Sequence, residues 1–406
     1  MLTATEEAQR ILARNRLALT VSAGMGYLGF TLSMAFLPMY IKELGVVDNR
    51  AIAIWTGFCF GITPLVAAII SPFWGRMMVR FGNKMMLERA LGSFVIIMAI
   101  TAHIHDVRLL FLLRTLQGIF GGYAALIFSM VASSSPVEEI GKHIGLLQSV
   151  QTFSMAVGPL IGSLISSVIG LRNTFYVTSA IFAFNLIYVY FGYQEVRGRD
   201  APPRQQKEEA AHTWDILKVP AILQIFIVIF LVQYIDRSFA PVIPLYVATL
   251  LGYGKAAALI SGVLLTGGSL AAAVSAIWWG RQSLRIGARS LMITSTIAGT
   301  LVSLAMALPA SVLAFGFLRV ILGLVAGGSM TLAYSWGGYI FPGRIRTTAF
   351  TLLSSASLYA ISISPLVSGL LMSLGIRFVF ILNGIFYASV LGFLLRLRKQ
   401  NASEDD

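Results

Sequence analysis

Long apolar stretches alternate with short polar ones along almost the whole chain. Each apolar stretch has roughly 20 residues or more, the length that an α-helix needs to cross the hydrocarbon of a bilayer. Backbone polar groups cannot stay unpaired there, so each stretch is predicted to be a helix, and the absence of short alternating segments disfavours a β-barrel. The twelve predicted spans are 17–41, 52–74, 85–104, 108–132, 144–168, 173–193, 220–247, 256–279, 290–308, 312–338, 348–372 and 377–395.

The second half of the chain repeats the first at an offset of 205 residues. The tripeptide Trp-Gly-Arg at 74–76 recurs at 279–281, and Arg114 recurs as Arg319. A period this long, seen twice, indicates two copies of one large unit rather than a solenoid. Two parallel halves around a midplane site are a known transporter architecture. We therefore predict an all-α membrane protein of twelve transmembrane helices in two pseudo-symmetric six-helix halves, 1–193 and 219–406, the second with a short cytoplasmic tail, joined by a cytoplasmic linker, 194–218.

Composition and charge agree with a bilayer and with one orientation in it. The chain is 57% hydrophobic and only 12% charged, against roughly 25% charged residues in soluble domains. With the N-terminus in the cytoplasm, 21 of the 30 lysines and arginines fall in inner segments and 6 in outer loops. This asymmetry predicts cytoplasmic termini in a multi-pass protein of the cell inner membrane. It also explains the net charge of +13 without a nucleic-acid partner, which would require basic residues clustered on one domain.

Two cytoplasmic loops, between spans 2 and 3 and between spans 8 and 9, share glycines that permit tight turns and basic residues at helix ends. Their matched residues are Gly75, Arg76, Arg80, Gly82 and Lys84 in the first loop and Gly280, Arg285 and Gly287 in the second. Both loops resemble the loop signature of the major facilitator superfamily, and the half-repeat and span count fit that family over the full chain.

The resemblance implies that these loop residues gate the cytoplasmic face. The aspartate of the family signature is replaced by Val79 and Leu284, which puts the closing contact of that carboxylate in doubt. The alternative is that the arginines only enforce topology.

Span 5 carries Gly158, Pro159 and Gly162, and the Gly-Pro pair is predicted to bend the helix. The motif resembles the mark of proton-linked multidrug exporters within the superfamily, the twelve-span drug:proton antiporters, which implies a conformational role for the three residues. The usual second terminal glycine is Ser163 here. The alternative is that small residues serve only helix packing.

Span 4 carries Arg114 and Gln117 on one helix face. A charge within a span is costly and usually faces a cavity or a partner. The segment is similar to the span-4 motif of superfamily members that couple transport to protons, which implies a coupling role for Arg114. The alternative is an arginine that extends to the outer interface.

Span 7 contains Asp236, the only carboxylate well inside any predicted span. Desolvation favours the protonated form of a carboxylate and a nearby cation favours the ionised form, so such a group can carry a proton. Arg237 is adjacent, but neighbouring side chains on a helix do not face each other, so Asp236 is predicted to have another partner or to face the cavity. The alternative is a structural ion pair that braces a helix weakened by Pro241 and Pro244.

Amide, aromatic and cationic groups in the spans suit amphipathic substrates because they stack and hydrogen-bond without strict geometry. The predicted substrate-binding residues are Gln117, Gln148, Gln151, Gln233, Arg237, Tyr334, Trp336 and Tyr359. The sequence has no phosphate-binding loop of the Walker type and no metal-ligand pattern, so we predict no ATP hydrolysis, no catalytic residue, no metal and no cofactor.

These patterns predict a monomeric secondary active transporter that exports small amphipathic molecules or drugs by alternating access in exchange for protons. Its partners are the small-molecule substrate, protons and the lipid bilayer. A sugar or metabolite carrier of the same superfamily is an alternative. A non-transporting membrane sensor or enzyme is another, and it would need a soluble effector domain or a catalytic cluster.

Overall fold

The computed structural model describes residues 4–136, 139–195, 220–308, 311–340 and 343–402. The predicted linker, 194–218, lies outside the described residues except for its first two positions. Contacts between residues divide the chain into two compact units, Met1–Gly45 with Ile62–Glu208, and Val46–Gly61 with Glu209–Asp406.

The first eight α-helices of the described chain follow the apolar pattern of the first half, with short breaks at glycine and proline. Their bounds are α1 Ala4–Leu32, α2 Leu37–Glu43, α3 Asn49–Phe81, α4 Asn83–Thr101, α5 Val107–Ile119, α6 Tyr123–Ser133, α7 Ile140–Ile169 and α8 Leu171–Gly192. Within this half α1 packs against α7 and α8, and α4 packs against α8. A short 3₁₀ turn, Ser33–Ala35, separates α1 from α2 just before Pro38.

The helices described in the second half repeat this arrangement. Their bounds are α9 Pro220–Leu251, α10 Lys255–Ile286, α11 Ala288–Ala305, α12 Val312–Ala326, α13 Ser329–Ile340, α14 Gly343–Leu374 and α15 Arg377–Ala402. The pairs α9–α14 and α11–α15 are in contact, and they correspond to α1–α7 and α4–α8 of the first half. The repeat seen in the sequence is therefore also a repeat of helix packing.

Ten helical segments within the described residues are long and apolar enough to cross a membrane. The two predicted spans outside this set are 85–104 and 108–132. The first lies in α4, whose opening turns carry Lys84, Glu88 and Arg89, and these charges reduce its mean hydropathy. The second is divided into α5 and α6 by a break at 120–122, so neither piece alone is long enough.

The break between α5 and α6 has a counterpart between α12 and α13, and a tryptophan hydrogen-bonds next to each break. Trp74 Nε1 donates to the carbonyl of Ile119 at 2.6 Å, and Trp279 Nε1 donates to the carbonyl of Leu324 at 3.2 Å. Both donor and acceptor recur at the same offset of 205 residues. A helix break inside a membrane frees backbone carbonyls, which must find other donors, and these indoles supply them.

We expect Trp74→Phe and Trp279→Phe each to destabilise the folded protein by about 1–3 kcal/mol, because each leaves a carbonyl within a predicted membrane span without its donor, where no water can replace it. Phenylalanine keeps the aromatic ring, so the change removes mainly the hydrogen bond. Thermal unfolding in detergent measures the effect. Trp278→Phe is the matched control, since Trp278 is adjacent, 54% exposed and in edge-to-face contact with Trp279. Equal losses in all three variants would contradict the role of the indole donors.

Candidate functional site

Asp236 lies in the middle of α9, and its side chain is 59% exposed within the described chain. Its Oδ2 lies 3.6 Å from Nε of Arg237, whose side chain is 29% exposed. Another partner for Asp236, or a position facing the cavity, was predicted. The long side chain of Arg237 nevertheless reaches ion-pair distance of the carboxylate. A position facing the cavity stays a prediction.

Arg114 is buried and hydrogen-bonded, not extended to the interface. Its Nη1 donates to Oε1 of Gln117 at 2.9 Å, and its Nη2 donates to Oγ of Ser33 at 3.1 Å. Thr63 donates to the Arg114 carbonyl at 2.8 Å. Arg114 and Gln117 therefore lie on one face of the helix, as predicted. The amide oxygen of Gln117, a predicted substrate ligand, already accepts a hydrogen bond from the arginine.

The sequence reasoning did not assign a role to Arg319, the repeat partner of Arg114. Arg319 is 6% exposed, and its Cζ lies 4.6 Å from the ring centroid of Phe239. Phe239 is three residues from Asp236 on α9. The signal that could have found it was the repeat itself, since both arginines lie inside predicted spans.

The remaining predicted substrate ligands differ widely in how exposed their side chains are. Gln148 is exposed and Tyr359 is 56% exposed, whereas Gln233 is 9% exposed. Gln151 is buried, and its Nε2 has no hydrogen-bond acceptor among the described residues. The structure groups Gln148 with Gln151 on α7, one helical turn apart.

Trp336 and Tyr334 belong to the hydrophobic core of the second unit. Trp336 is 6% exposed and is a member of a cluster built from α9, α11, α13, α14 and α15, against which Tyr334 packs. The Tyr334 hydroxyl lies 3.2 Å from Oγ of Ser357 on α14. The prediction that both residues line a cavity is therefore weakest for Trp336, whose indole is enclosed by apolar neighbours.

Gly158 and Gly162 allow close contact between α1 and α7. A Cβ at Gly158 would overlap the side chain of Thr31, and one at Gly162 would overlap the backbone of Leu32. Pro159 lies inside α7, which remains helical from Ile140 to Ile169. The alternative of helix packing therefore describes what these glycines do, and a gating role for the motif stays a proposal.

The first glycine-rich loop ends at a carboxylate that the sequence reasoning missed. Gly82 has a positive φ of 84°, which glycine tolerates, and starts the turn into α4. Oε1 of Glu195, just after α8, accepts the backbone N–H of Asn83 at 2.9 Å. Gln194 is held in place by Asn15, which donates to its carbonyl at 2.7 Å and accepts its N–H at 3.0 Å. A carboxylate therefore lies at the start of α4, although Val79 takes the place of the aspartate in the family's loop signature.

The basic residues of both loops are mostly exposed. Arg76, Arg80 and Arg285 are exposed, whereas Lys84 is half-buried and donates to the carbonyl of Tyr190 at 2.7 Å. Gly287 repeats the turn of Gly82 with a φ of 90°, and a Cβ there would meet nothing within 4 Å. Gly280 lies inside α10, and Gly75 and Val79 lie inside α3. Leu284 is 78% exposed.

A repeated helical unit with charged groups inside its spans is typical of membrane transporters. The sequence profile of the Major Facilitator Superfamily matches residues 19–268 and 225–406. Multidrug resistance protein MdtG of Proteus mirabilis is 32% identical over 301 residues, which cover 73% of this chain and 74% of that protein. MdtG of Citrobacter koseri is 32% identical over 302 residues, which cover 73% of each.

Two solved structures share the fold. A bacterial homolog of the human lysosomal transporter Spinster has a TM-score of 0.76 at 14% identity, covering 95% of this chain and 96% of that chain. The nucleoside transporter NupG has a TM-score of 0.74 at 12% identity, covering 95% of this chain and 99% of that chain. The chain belongs to the Major Facilitator Superfamily. The predicted family, the twelve-helix fold and the class of transporter, not enzyme, are confirmed.

Proposed function

We propose that this protein exports small amphipathic molecules or drugs across the cell inner membrane by alternating access, in exchange for protons. The relatives that cover about three quarters of the chain are named multidrug resistance proteins, which supports a drug as the substrate. The observation that carries proton exchange is the exposed carboxylate of Asp236 in the middle of a membrane span.

A carboxylate that faced lipid in the middle of a span would cost several kcal/mol, so charged residues in spans usually face water-filled cavities. We therefore assign the exposed side of Asp236 to the transport pathway. There the carboxylate can bind a proton or a cationic substrate, but not both at once, and this competition is the simplest form of exchange. Arg237 Nε lies 3.6 Å from the carboxylate, so the ionised form has an ion-pair partner beside the pathway.

Other residues take roles that follow from their surroundings. Gln148 and Tyr359 are exposed and Gln151 has an unused amide donor, so these three are the proposed substrate contacts. Gln233, one turn from Asp236, joins them. Arg114 acts in coupling through its bonds to Gln117 and Ser33. The halves 1–193 and 219–406 act as rigid units in a monomer, and the two glycine-rich loops gate the cytoplasmic side.

Transport by purified protein in proteoliposomes tests the proposal. We expect accumulation of cationic dyes or antibiotics when a pH gradient is imposed, and no accumulation of sugars. Empty liposomes are the control for passive entry. Accumulation of sugars alone would favour the carrier alternative, and no transport of any compound in the panel would contradict export of drugs.

The basic asymmetry predicts that both termini and the linker are cytoplasmic. Reporter fusions after Lys218 and after Lys399 should therefore give a cytoplasmic signal with a phosphatase and fluorescent-protein pair. A fusion after His105, in the predicted outer loop between α4 and α5, is the matched control and should give the opposite result. A periplasmic signal after Lys218 or Lys399 would overturn the twelve-span topology.

A further inference from the structure

The start of α4 is bound by a carboxylate from a distant part of the chain. Oε1 of Glu195, which follows α8, accepts the backbone N–H of Asn83 at 2.9 Å, and Asn83 is the first residue of α4. The first N–H groups of a helix have no acceptor within the helix, and a negative charge is favoured at this positive end of the helix dipole. Glu195 therefore stabilises the start of α4 from outside the helix.

The backbone that carries Glu195 is itself held by α1. Asn15 donates from Nδ2 to the carbonyl of Gln194 at 2.7 Å and accepts the N–H of Gln194 at 3.0 Å. Asn15 is 1% exposed, so this pair of hydrogen bonds is anchored in the packed part of the first half. The start of α4, the residues after α8 and α1 are thus joined by three hydrogen bonds.

A second contact between α4 and α8 occurs in both halves of the chain. Lys84 donates to the carbonyl of Tyr190 in the last turn of α8 at 2.7 Å. Its repeat partner, Arg289, donates to the carbonyl of Leu394 on α15, also at 2.7 Å. A basic residue at the end of each glycine-rich loop, 75–84 and 280–289, therefore binds the last long helix of its own half. This contact belongs to the repeated unit.

The carboxylate at the turn, by contrast, is provided by the first half only. The position that corresponds to Glu195 is Gln400, which carries no charge. A Cβ at Gly82 would overlap the carboxylate of Glu195, whereas a Cβ at Gly287, the repeat partner of Gly82, meets nothing within 4 Å. The first half is the one whose last helix leads into the linker. The contact of Glu195 is therefore found where the chain leaves that half.

The charges of the loop also favour a carboxylate here. Between 75 and 84 the sequence has Arg76, Arg80 and Lys84 and no acidic residue. Glu88, one turn into α4, lies 3.9 Å from Lys84. Glu195 is exposed, and water and salt screen its charge. We therefore expect its hydrogen bond to Asn83, more than its attraction to the basic residues, to have the larger effect.

We propose that Glu195 is a positioning residue for the first glycine-rich loop: held by Asn15 through Gln194, it fixes the turn at Gly82. In alternating access each half moves largely as a rigid body, so its loops must keep their place on that half. Without the contact, the turn can move separately from α8, which slows the change between conformations and leaves the substrate site intact. The inference rests on the proposed function for this effect on transport, whereas its effect on the loop needs no substrate.

Limited digestion of the purified protein with trypsin tests the contact directly. Trypsin cleaves after lysine and arginine, and Arg80 and Lys84 flank the turn at Gly82. Glu195→Ala should accelerate cleavage at these two positions about fivefold, the size of effect expected for loss of a helix cap. Cleavage after Arg285 in the second loop is the internal reference and should not change. Unchanged cleavage in the first loop, or equal acceleration in both loops, would overturn the proposal.

Two matched comparisons make the digestion specific. Glu139 directly precedes α7 but makes no capping hydrogen bond there, and it contacts Lys142 at 3.6 Å, so Glu139→Ala should leave both loops unchanged. Gly82→Ala and Gly287→Ala both place alanine at a positive φ, of 84° and 90°, but only the first displaces Glu195. Gly82→Ala should therefore accelerate cleavage of its own loop more than Gly287→Ala does. Equal acceleration by the two alanines would contradict the contact.

Transport kinetics in proteoliposomes separate positioning from substrate binding. Glu195→Ala should lower the maximal rate of ethidium transport by about fivefold, the effect of a lost cap, and leave KM unchanged. Asn15→Ala should act in the same direction, and the double variant should lose little more than the larger single loss, because both residues act through one contact. A raised KM at an unchanged maximal rate, or losses that add, would overturn the positioning role. If Asn15→Ala does not fold, the kinetics of Glu195→Ala alone decide.

The proposal and the proposed function fail in different ways. Absence of transport by the unaltered protein, for every compound in the panel, would remove the function and leave the digestion result standing. Normal transport by the unaltered protein, together with identical digestion of Glu195→Ala, would keep the function and remove Glu195 from it.

Discussion

Asp236→Asn is expected to abolish pH-driven transport while downhill exchange of substrate continues in part. The amide keeps the shape of the carboxylate and its place on α9, but it cannot gain and lose a proton. Exchange needs such a group on a path open to water, and the Asp236 side chain is 59% exposed. The measurement is substrate accumulation in proteoliposomes with and without a pH gradient, at matched amounts of incorporated protein.

Glu43→Gln is the matched control for this variant. Glu43 also pairs with an arginine, since its Oε1 lies 2.9 Å from Nε of Arg172, but it lies at the end of α2 outside the membrane spans. Its loss should leave the pH dependence intact. Full pH-driven accumulation by Asp236→Asn would shift the coupling role to Glu88 or indicate a facilitator that does not use protons.

Gly162→Ala is expected to destabilise the protein by at least about 3 kcal/mol, near the upper end of what overpacking usually costs. The added methyl group would overlap the backbone of Leu32, which cannot move aside as a flexible side chain can. The helices α1 and α7 would have to separate along their contact. The yield of folded protein from membranes and its melting temperature measure the change.

Gly145→Ala is the control on the same helix. A Cβ at Gly145 meets nothing within 4 Å, so the change should stabilise α7 by about 0.5–1 kcal/mol through helix propensity. If both variants were equally stable, the close contact between α1 and α7 would not be what requires glycine at 162.

The fold was largely predictable because hydrophobic length and an internal repeat are strong signals. The predicted span 7, 220–247, lies within α9, which runs from Pro220 to Leu251 and stays helical through Pro241 and Pro244. The interruption of span 4 was not predicted. The helix α5 ends at Ile119, and Gly122, with a φ of 91°, precedes α6.

The candidate site was less predictable because it depends on side-chain direction and on contacts between distant residues. Helix periodicity could not show that Arg237 reaches Asp236. It places adjacent side chains on different faces, but an arginine side chain is long enough to bend back to its neighbour. Glu195 could not be found from the loop signature, because it reaches Asn83 from 112 positions further along the chain. The pairing of Arg114 with Gln117, by contrast, followed directly from their spacing of three residues.

The tryptophan contacts are a property of the repeated unit. Trp74 with Ile119 and Trp279 with Leu324 occupy equivalent positions, so each half satisfies its helix break with the same indole–carbonyl contact. Arg89, whose guanidinium lies 3.4 Å over the Trp74 ring, has Thr294 as its equivalent. The two halves therefore share the break and its donor, but the first half places a cation on the indole where the second has a threonine at the equivalent position.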